Sequence, residues 1–229
     1  MLTPAELEAV TLSLGVAARA TLWSLPVAVG TAWVLARLRF PGRTLLDGIV
    51  HLPLVMPPVV IGYMLLVTLG TQGPVGRVLD EVFGVRLIFT GEGASVAAAV
   101  MAFPLMVRAI RLALEAVDTG LEDAARTLGA GRLDVFATVT LPLMLPGILA
   151  GAIVAFAASL GEFGATITFV SNIPGETRTL PLAIYTLTQT PGGDAAAARL
   201  AGIAFALSLG ALLVSEWLAT RVRRGLGRA

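Results

Sequence analysis

The stretch LEDAARTLGAGRLDVFATVTLPL, residues 121–143, is a polar break in a chain that is otherwise apolar. It carries Glu122, Asp123, Arg126, Arg132 and Asp134, two close glycines, Gly129 and Gly131, and it ends on Leu141-Pro142. Thr119 followed by Glu122 fits a capping box, and Asp118, Glu122 and Asp123 put negative charge where a helix N-terminus is partially positive. A helix LEDAARTL is expected, with Leu121, Ala124 or Ala125, and Leu128 on one face. Gly129 is its expected stop, since glycine tolerates the left-handed conformation that closes a helix. Ala130-Gly131 then turns the chain into a second short helix, RLDVFATV, which presents Leu133, Phe136 and Val139 or Thr140. Leu141-Pro142 opens the next apolar run, because proline fits a helix's first turn.

Helices this short are not stable alone in water, so segment 118–140 needs a surface to pack on. The first helix is rich in alanine and balanced in charge. A helix that lies on anionic lipid is usually basic. A protein groove is the better match, and the segment reads as a docking element.

The rest of the chain sets the class. Of 229 residues, 56% are hydrophobic and 14% charged, whereas ordinary soluble domains carry about 25% charged residues. A polytopic helical membrane protein is expected. The net charge of +1 implies no nucleic-acid partner. Cysteine is absent and His51 is the one histidine, which excludes disulfides, Cys-ligated metals and multi-histidine sites. Every basic residue is arginine, so the lysine of a phosphate-binding loop is missing. Any ATP used in this protein's work is bound by another chain. No acid–base pair or nucleophile arrangement stands out, so no catalytic residue is assigned.

Five runs are long enough to cross a bilayer, which takes about 20 apolar residues. They cover residues 12–36, 46–69, 94–115, 141–166 and 197–219 of one membrane domain spanning 1–229. Prolines within them predict kinks, above all at Pro57-Pro58. With five spans, Arg37, Arg39 and Arg43, then Arg108, Arg111, Arg126 and Arg132, then Arg221, Arg223, Arg224 and Arg228 fall on one side. The positive-inside rule makes that side cytoplasmic, with the N-terminus outside and the C-terminus inside. The acidic start MLTPAELEAV does not read as a cleaved signal peptide. On the outer side, VGRVLDEVF suits a short interfacial helix, and LPLAIYTLTQ is apolar but too short to span.

Other residues admit more than one reading each. Arg19 snorkels to the outer interface, makes a helix–helix contact or serves an anion pathway. Glu162, in SLGEFGA, is either a functional acid at membrane depth or a helix-end carboxylate bonded to nearby backbone donors. Gly147 and Gly151 form a GxxxG spacing, which serves packing within the chain or between subunits. Pro57, Pro58, Glu162, Phe163 and Gly164 are candidates for a pathway or gate, or mark structural kinks.

The segment DAARTLGAGRLDVFATVTLP resembles the signature of binding-protein-dependent ABC transporter permeases: Glu-Ala-Ala, three residues, Gly, nine residues, then a branched residue, any residue and Leu-Pro. Here Asp123, Ala124, Ala125, Gly129, Val139, Leu141 and Pro142 stand at those positions, with Asp123 in place of Glu and Glu122 beside it. The runs LARLRFPGRTLLDGIVHLPLVMPPVVIGYMLL and SLGEFGATITFVSNIPGETRTLPLAIYT resemble molybdate permease subunits. Sulfate/thiosulfate and tungstate permeases share much of this. The resemblance implies an all-α, type I (MetI-like) importer permease core with five transmembrane helices, embedded in the bacterial inner membrane. Some permeases of the family carry a further N-terminal span, and none is expected in this chain. The resemblance further implies a homodimer, two cytoplasmic ATPase subunits that consume the ATP, and an external oxyanion-binding protein. Leu121, Glu122, Asp123, Ala124, Ala125, Leu128, Gly129, Leu141 and Pro142 are then the ATPase-docking, or coupling, residues. The rival from another class is a membrane scaffold without transport activity.

Overall fold

The computed structural model describes residues 2–226, so Arg228 of the last arginine cluster lies outside the described residues. Helix α1 runs from Pro4 to Arg37 and is capped by Thr3, whose side chain and Glu6 exchange bonds in a capping box. Then follow α2 (Arg43–Val55), α3 (Pro58–Leu69), α4 (Pro74–Phe83), α5 (Gly91–Glu115), α6 (Thr119–Thr127), α7 (Arg132–Val135), a π-helical turn (Phe136–Thr140), α8 (Leu141–Leu160), α9 (Gly164–Val170), α10 (Leu180–Thr188) and α11 (Asp194–Leu226). Among the described residues four helices are long and apolar enough to cross a membrane, or five when the bent pair α2–α3 counts as one span.

Helix α5 is the centre of the bundle and packs most extensively on α8 and α1. Small residues make that closeness attainable. Ala94, Ala97, Ala98 and Ala102 of α5 are buried, as are Ala17, Ala20, Ala28 and Ala32 of α1. The GxxxG pair of α8 faces α5 of the same chain. A Cβ at Gly147 would overlap the Ala113 methyl, and one at Gly151 would sit 3.2 Å from the Ala109 methyl. This pair therefore serves packing within the chain, where backbone approach supplies the dispersion contacts that lipid cannot outcompete.

Two expected spans are not single helices. Residues 46–69 form α2 and α3, which meet at 115°. Met56 precedes Pro57, and Pro57 precedes Pro58. A residue before proline is pushed out of the helical region, and both are extended (ψ 146° and 132°). Residues 141–166 also break. Helix α8 stops at Leu160, and α9 begins only at Gly164.

The start of that span also needs correction. Leu141-Pro142 does not open a new helix. The helix that begins at Arg132 runs through the π-helical turn into α8. Pro142 has no N–H to donate and its ring crowds the carbonyl one turn back. The widened turn just ahead of it, closed by the Leu141 N–H on the Phe136 carbonyl, accommodates that ring without breaking the helix.

On the opposite end of the bundle, α10 folds inward: Leu180 and Leu182 are fully buried. The Leu180 N–H donates to the Ser13 hydroxyl of α1 at 2.6 Å. Arg199 of α11 reaches Glu6 of α1 at 2.8 Å. Arg19 makes a helix–helix contact, pairing with Glu92 of α5 at 2.9 Å.

Candidate functional site: a docking helix anchored to the bundle

Helix α6 starts differently from the capping box read in its sequence. Asp118, not Thr119, is the N-cap, and its carboxylate accepts the Gly120 N–H at 2.8 Å. Glu122 is thereby free of any capping duty and turns into the protein, where it is only 7% exposed. Its Oε1 accepts from the Arg37 guanidinium at 2.8 Å and from the Thr140 hydroxyl at 2.8 Å. Arg126, one turn on, stands 3.5 Å from its other oxygen. Arg37 also donates to the Leu114 carbonyl at 3.4 Å. One carboxylate and one guanidinium thus tie α6 to the end of α1, the end of α5 and the turn that enters α8. Charge-assisted bonds of this kind are about twice as strong as neutral ones.

The other face of α6 is open. Leu121 is 50% exposed and Leu128 is 89% exposed. Asp123 is exposed too and pairs with Arg126 at 2.6 Å. Ala124 is exposed and Ala125 half-buried. Leu128 is the C-cap rather than a helical residue. Gly129 follows with φ +90°. The Gly129 N–H bonds the Arg126 carbonyl and the Ala130 N–H bonds the Ala125 carbonyl, which is the Schellman closure of a helix. Leu141 and Pro142, placed with the docking residues by sequence, lie in the first turn of α8.

The five pathway candidates come together at the two membrane breaks. A Cβ on Gly164 would lie 2.7 Å from the Pro58 ring, and one on Gly62 would lie 2.6 Å from the Ala165 carbonyl. So α3 and α9 are in backbone contact where each restarts after its break. Glu162 takes the helix-end role: its carboxylate accepts the Ala165 N–H at 2.7 Å, in the first turn of α9. The Phe163 ring packs on Tyr185 of α10, with centroids 5.3 Å apart. Pro57 and Pro58 are both exposed.

Sequence reasoning did not single out Arg37 and Thr140 as partners of Glu122. They lie 85 and 18 residues away, and no local pattern signals pairing at such distances. It also passed over a second polar cluster. Arg111 of α5 holds Asp47 of α2 at 3.1 Å and Glu115 at 2.8 Å, and His51 sits 3.2 Å from Asp47. The cluster fastens α2 to α5 at the same end of the bundle as Arg37.

Comparison with known proteins places this geometry. Residues 24–224 match the family model described as the binding-protein-dependent transport system inner membrane component. The chain belongs to this family. It is a multi-pass inner membrane protein and a transport subunit of a binding-protein-dependent ABC system. It is 62% identical over 228 residues to the molybdenum transport system permease protein ModB of Escherichia coli K12, covering 100% of both chains. It is 57% identical over 223 residues to the protein of the same name from Haemophilus influenzae, covering 97% of each. Among solved structures, it resembles a chain of a bacterial alginate ABC transporter in complex with an alginate pentasaccharide-bound periplasmic protein. The TM-score is 0.76 at 18% identity, over 96% of this chain and 80% of that one, and this likeness shows the fold alone.

Proposed function

We propose that this chain is the membrane-spanning permease subunit of an ATP-driven importer that carries molybdate across the inner membrane. Two copies form the pathway. Two ATPase subunits bind at the Arg37 end, which is cytoplasmic, and an external oxyanion-binding protein delivers the substrate at the opposite end. The N-terminus is outside and the C-terminus inside, in line with the arginine clusters. The chain itself hydrolyses nothing and holds no cofactor; ATP is used by the partner.

The observation that carries the coupling part of this reading is the two-faced α6. Leu121 and Leu128 offer exposed apolar contacts to a groove in each ATPase, while Glu122 is bonded into the bundle. A short helix with only the first property would peel away under load. With the second, a displacement of α6 moves the ends of α1 and α8 with it. When the ATPase pair closes on ATP, the two α6 helices approach, and the bundles rotate about the α3–α9 contact beside Pro57, Pro58, Glu162, Phe163 and Gly164. Asp123 is the acid that faces the ATPase, since Glu122 is spent internally.

Molybdate as substrate rests on the full-length similarity to the two molybdenum permeases. The test is transport in proteoliposomes that contain this chain, its ATPase and its binding protein. ATP-dependent molybdate accumulation that excess sulfate does not compete away supports the assignment. Sulfate uptake in preference to molybdate overturns the substrate, and no ATP-dependent uptake of any oxyanion overturns the transport reading in favour of a scaffold.

A further inference from the structure

A cleft of about 950 Å³ opens between the last third of α1 and the start of the α7–α8 helix. Its walls are Val29 and Trp33 on one side and Leu133 and Phe136 on the other. Gly30 leaves room on its floor, where an added Cβ would meet no atom within 4 Å. Its mouth carries three arginines, Arg37, Arg126 and Arg132. The carboxylate in the lining, Glu122, is already engaged by Arg37 and Thr140. Arg132 is exposed and makes no hydrogen bond or ion pair among the described residues. Arg126 is paired with Asp123 at 2.6 Å, so the positive charge left over at the mouth is that of Arg132.

The cleft follows α1 from Val29 to Leu38. Val29 and Arg37 are eight positions apart, about 12 Å of helix. The cleft therefore reaches from the polar end of α1 well into its apolar part. A water-soluble partner does not reach that depth in a bilayer, but an acyl chain does. Trp33 sits between the two levels, where aromatic rings mark the membrane–water interface. Leu133, beside Arg132, is 83% exposed and needs an apolar neighbour.

We propose that this cleft binds one anionic phospholipid of the inner leaflet. Its phosphate lies against Arg132, with the paired Arg126 and Arg37 beside it, and one acyl chain lies over Gly30 between Trp33 and Phe136. Basic mouths between membrane helices on the cytoplasmic side recognise lipid headgroups in this way. The inner-leaflet assignment rests on the orientation proposed above. Because the cleft is walled by both α1 and the anchor of α6, an occupied cleft braces the docking helix.

The test is native mass spectrometry of the detergent-puried transporter, delipidated and then supplied with phosphatidylglycerol or with phosphatidylcholine of the same chains. One phosphatidylglycerol per copy of this chain is expected to survive conditions that strip phosphatidylcholine. Arg132→Gln should lower its retention about fivefold, the worth of one basic residue at an anionic surface. Gly30→Leu, which fills the floor and alters no charge, should lower retention of either lipid. Equal retention of the two lipids by the parent protein, or parental retention by both variants, overturns the proposal. So does efficient crosslinking of Leu133→Cys to the ATPase, which would put a protein in the cleft. Orientation is read separately: outside labelling of Arg132→Cys in intact cells by an impermeant maleimide would overturn the leaflet and leave the transport assay to judge the function.

Discussion

The chain breaks its helices at the polar end and in the apolar depth, and the two kinds of break are held by opposite means. Between α5 and α8 the break is held by groups that pair: Glu122 with Arg37 and Thr140, Asp118 with a backbone N–H. At Met56-Pro57 and at Gly161–Phe163 it is held chiefly by missing side chains, with Gly62 and Gly164 letting α3 and α9 touch. Paired groups hold a helix at fixed points and leave its other face free for a partner. Close glycine contact holds by shape alone, and tightly packed contacts switch between discrete arrangements rather than deform. The first kind suits a handle and the second a hinge.

Breaking the handle should have the largest effect. Arg37→Met leaves the buried Glu122 carboxylate without its guanidinium, a loss of about 3 kcal/mol at the low end of the range for a broken buried pair. A lower thermal midpoint of the purified protein, partly restored in Arg37→Met/Glu122→Leu, is the expected readout. An unchanged midpoint in the single variant would sink the pairing. Next comes the hinge. Gly164→Leu forces a side chain against the Pro58 ring and should cost about 2 kcal/mol of strain, with molybdate uptake falling to background while the ATPase still co-purifies. Its control is Gly161→Ala, whose nearest new contact is an ordinary 3.7 Å. If both variants transport like the parent, the close contact is no hinge.

Smaller effects separate the two faces of α6. Gly129→Val puts a branched residue at φ +90°, a strain of about 1–2 kcal/mol. ATPase pull-down should weaken while membrane insertion, measured by fractionation, is unaltered. Asp123→Asn should change stability by less than about 0.5 kcal/mol, since its pair is exposed, yet reduce ATPase affinity a few-fold in a titration. Equal effects of Asp123→Asn and Glu122→Gln on ATPase affinity would contradict the division between an outward and an inward acid.

Much of this arrangement is legible in the sequence, and the remainder has identifiable causes. Apolar runs show a helical membrane bundle, and Gly129 shows where α6 stops, because both depend on residues near one another. Pro57-Pro58 shows that a kink exists. Its 115° angle depends on what α3 packs against, namely Gly62 on Ala165. The N-cap went to Asp118 because two overlapping caps were available locally and long-range bonds claimed Glu122. Arg19 reads in sequence first as a residue that snorkels to the interface, and only α5 brings Glu92 beside it from 73 positions away. The π-helical turn before Pro142 carries no composition signal that distinguishes it from an ordinary helix start.

The central claim is that Glu122 transmits force and does not bind the ATPase. It is tested by Glu122→Ala in the reconstituted transporter, with ATPase affinity, ATP hydrolysis and molybdate uptake measured on the same proteoliposomes. The account predicts ATPase affinity within about threefold of the parent, continued hydrolysis, and uptake reduced at least tenfold, about 1.4 kcal/mol or more of lost coupling. Uptake per ATP equal to the parent's would contradict it, as would ATPase affinity lost in proportion to uptake.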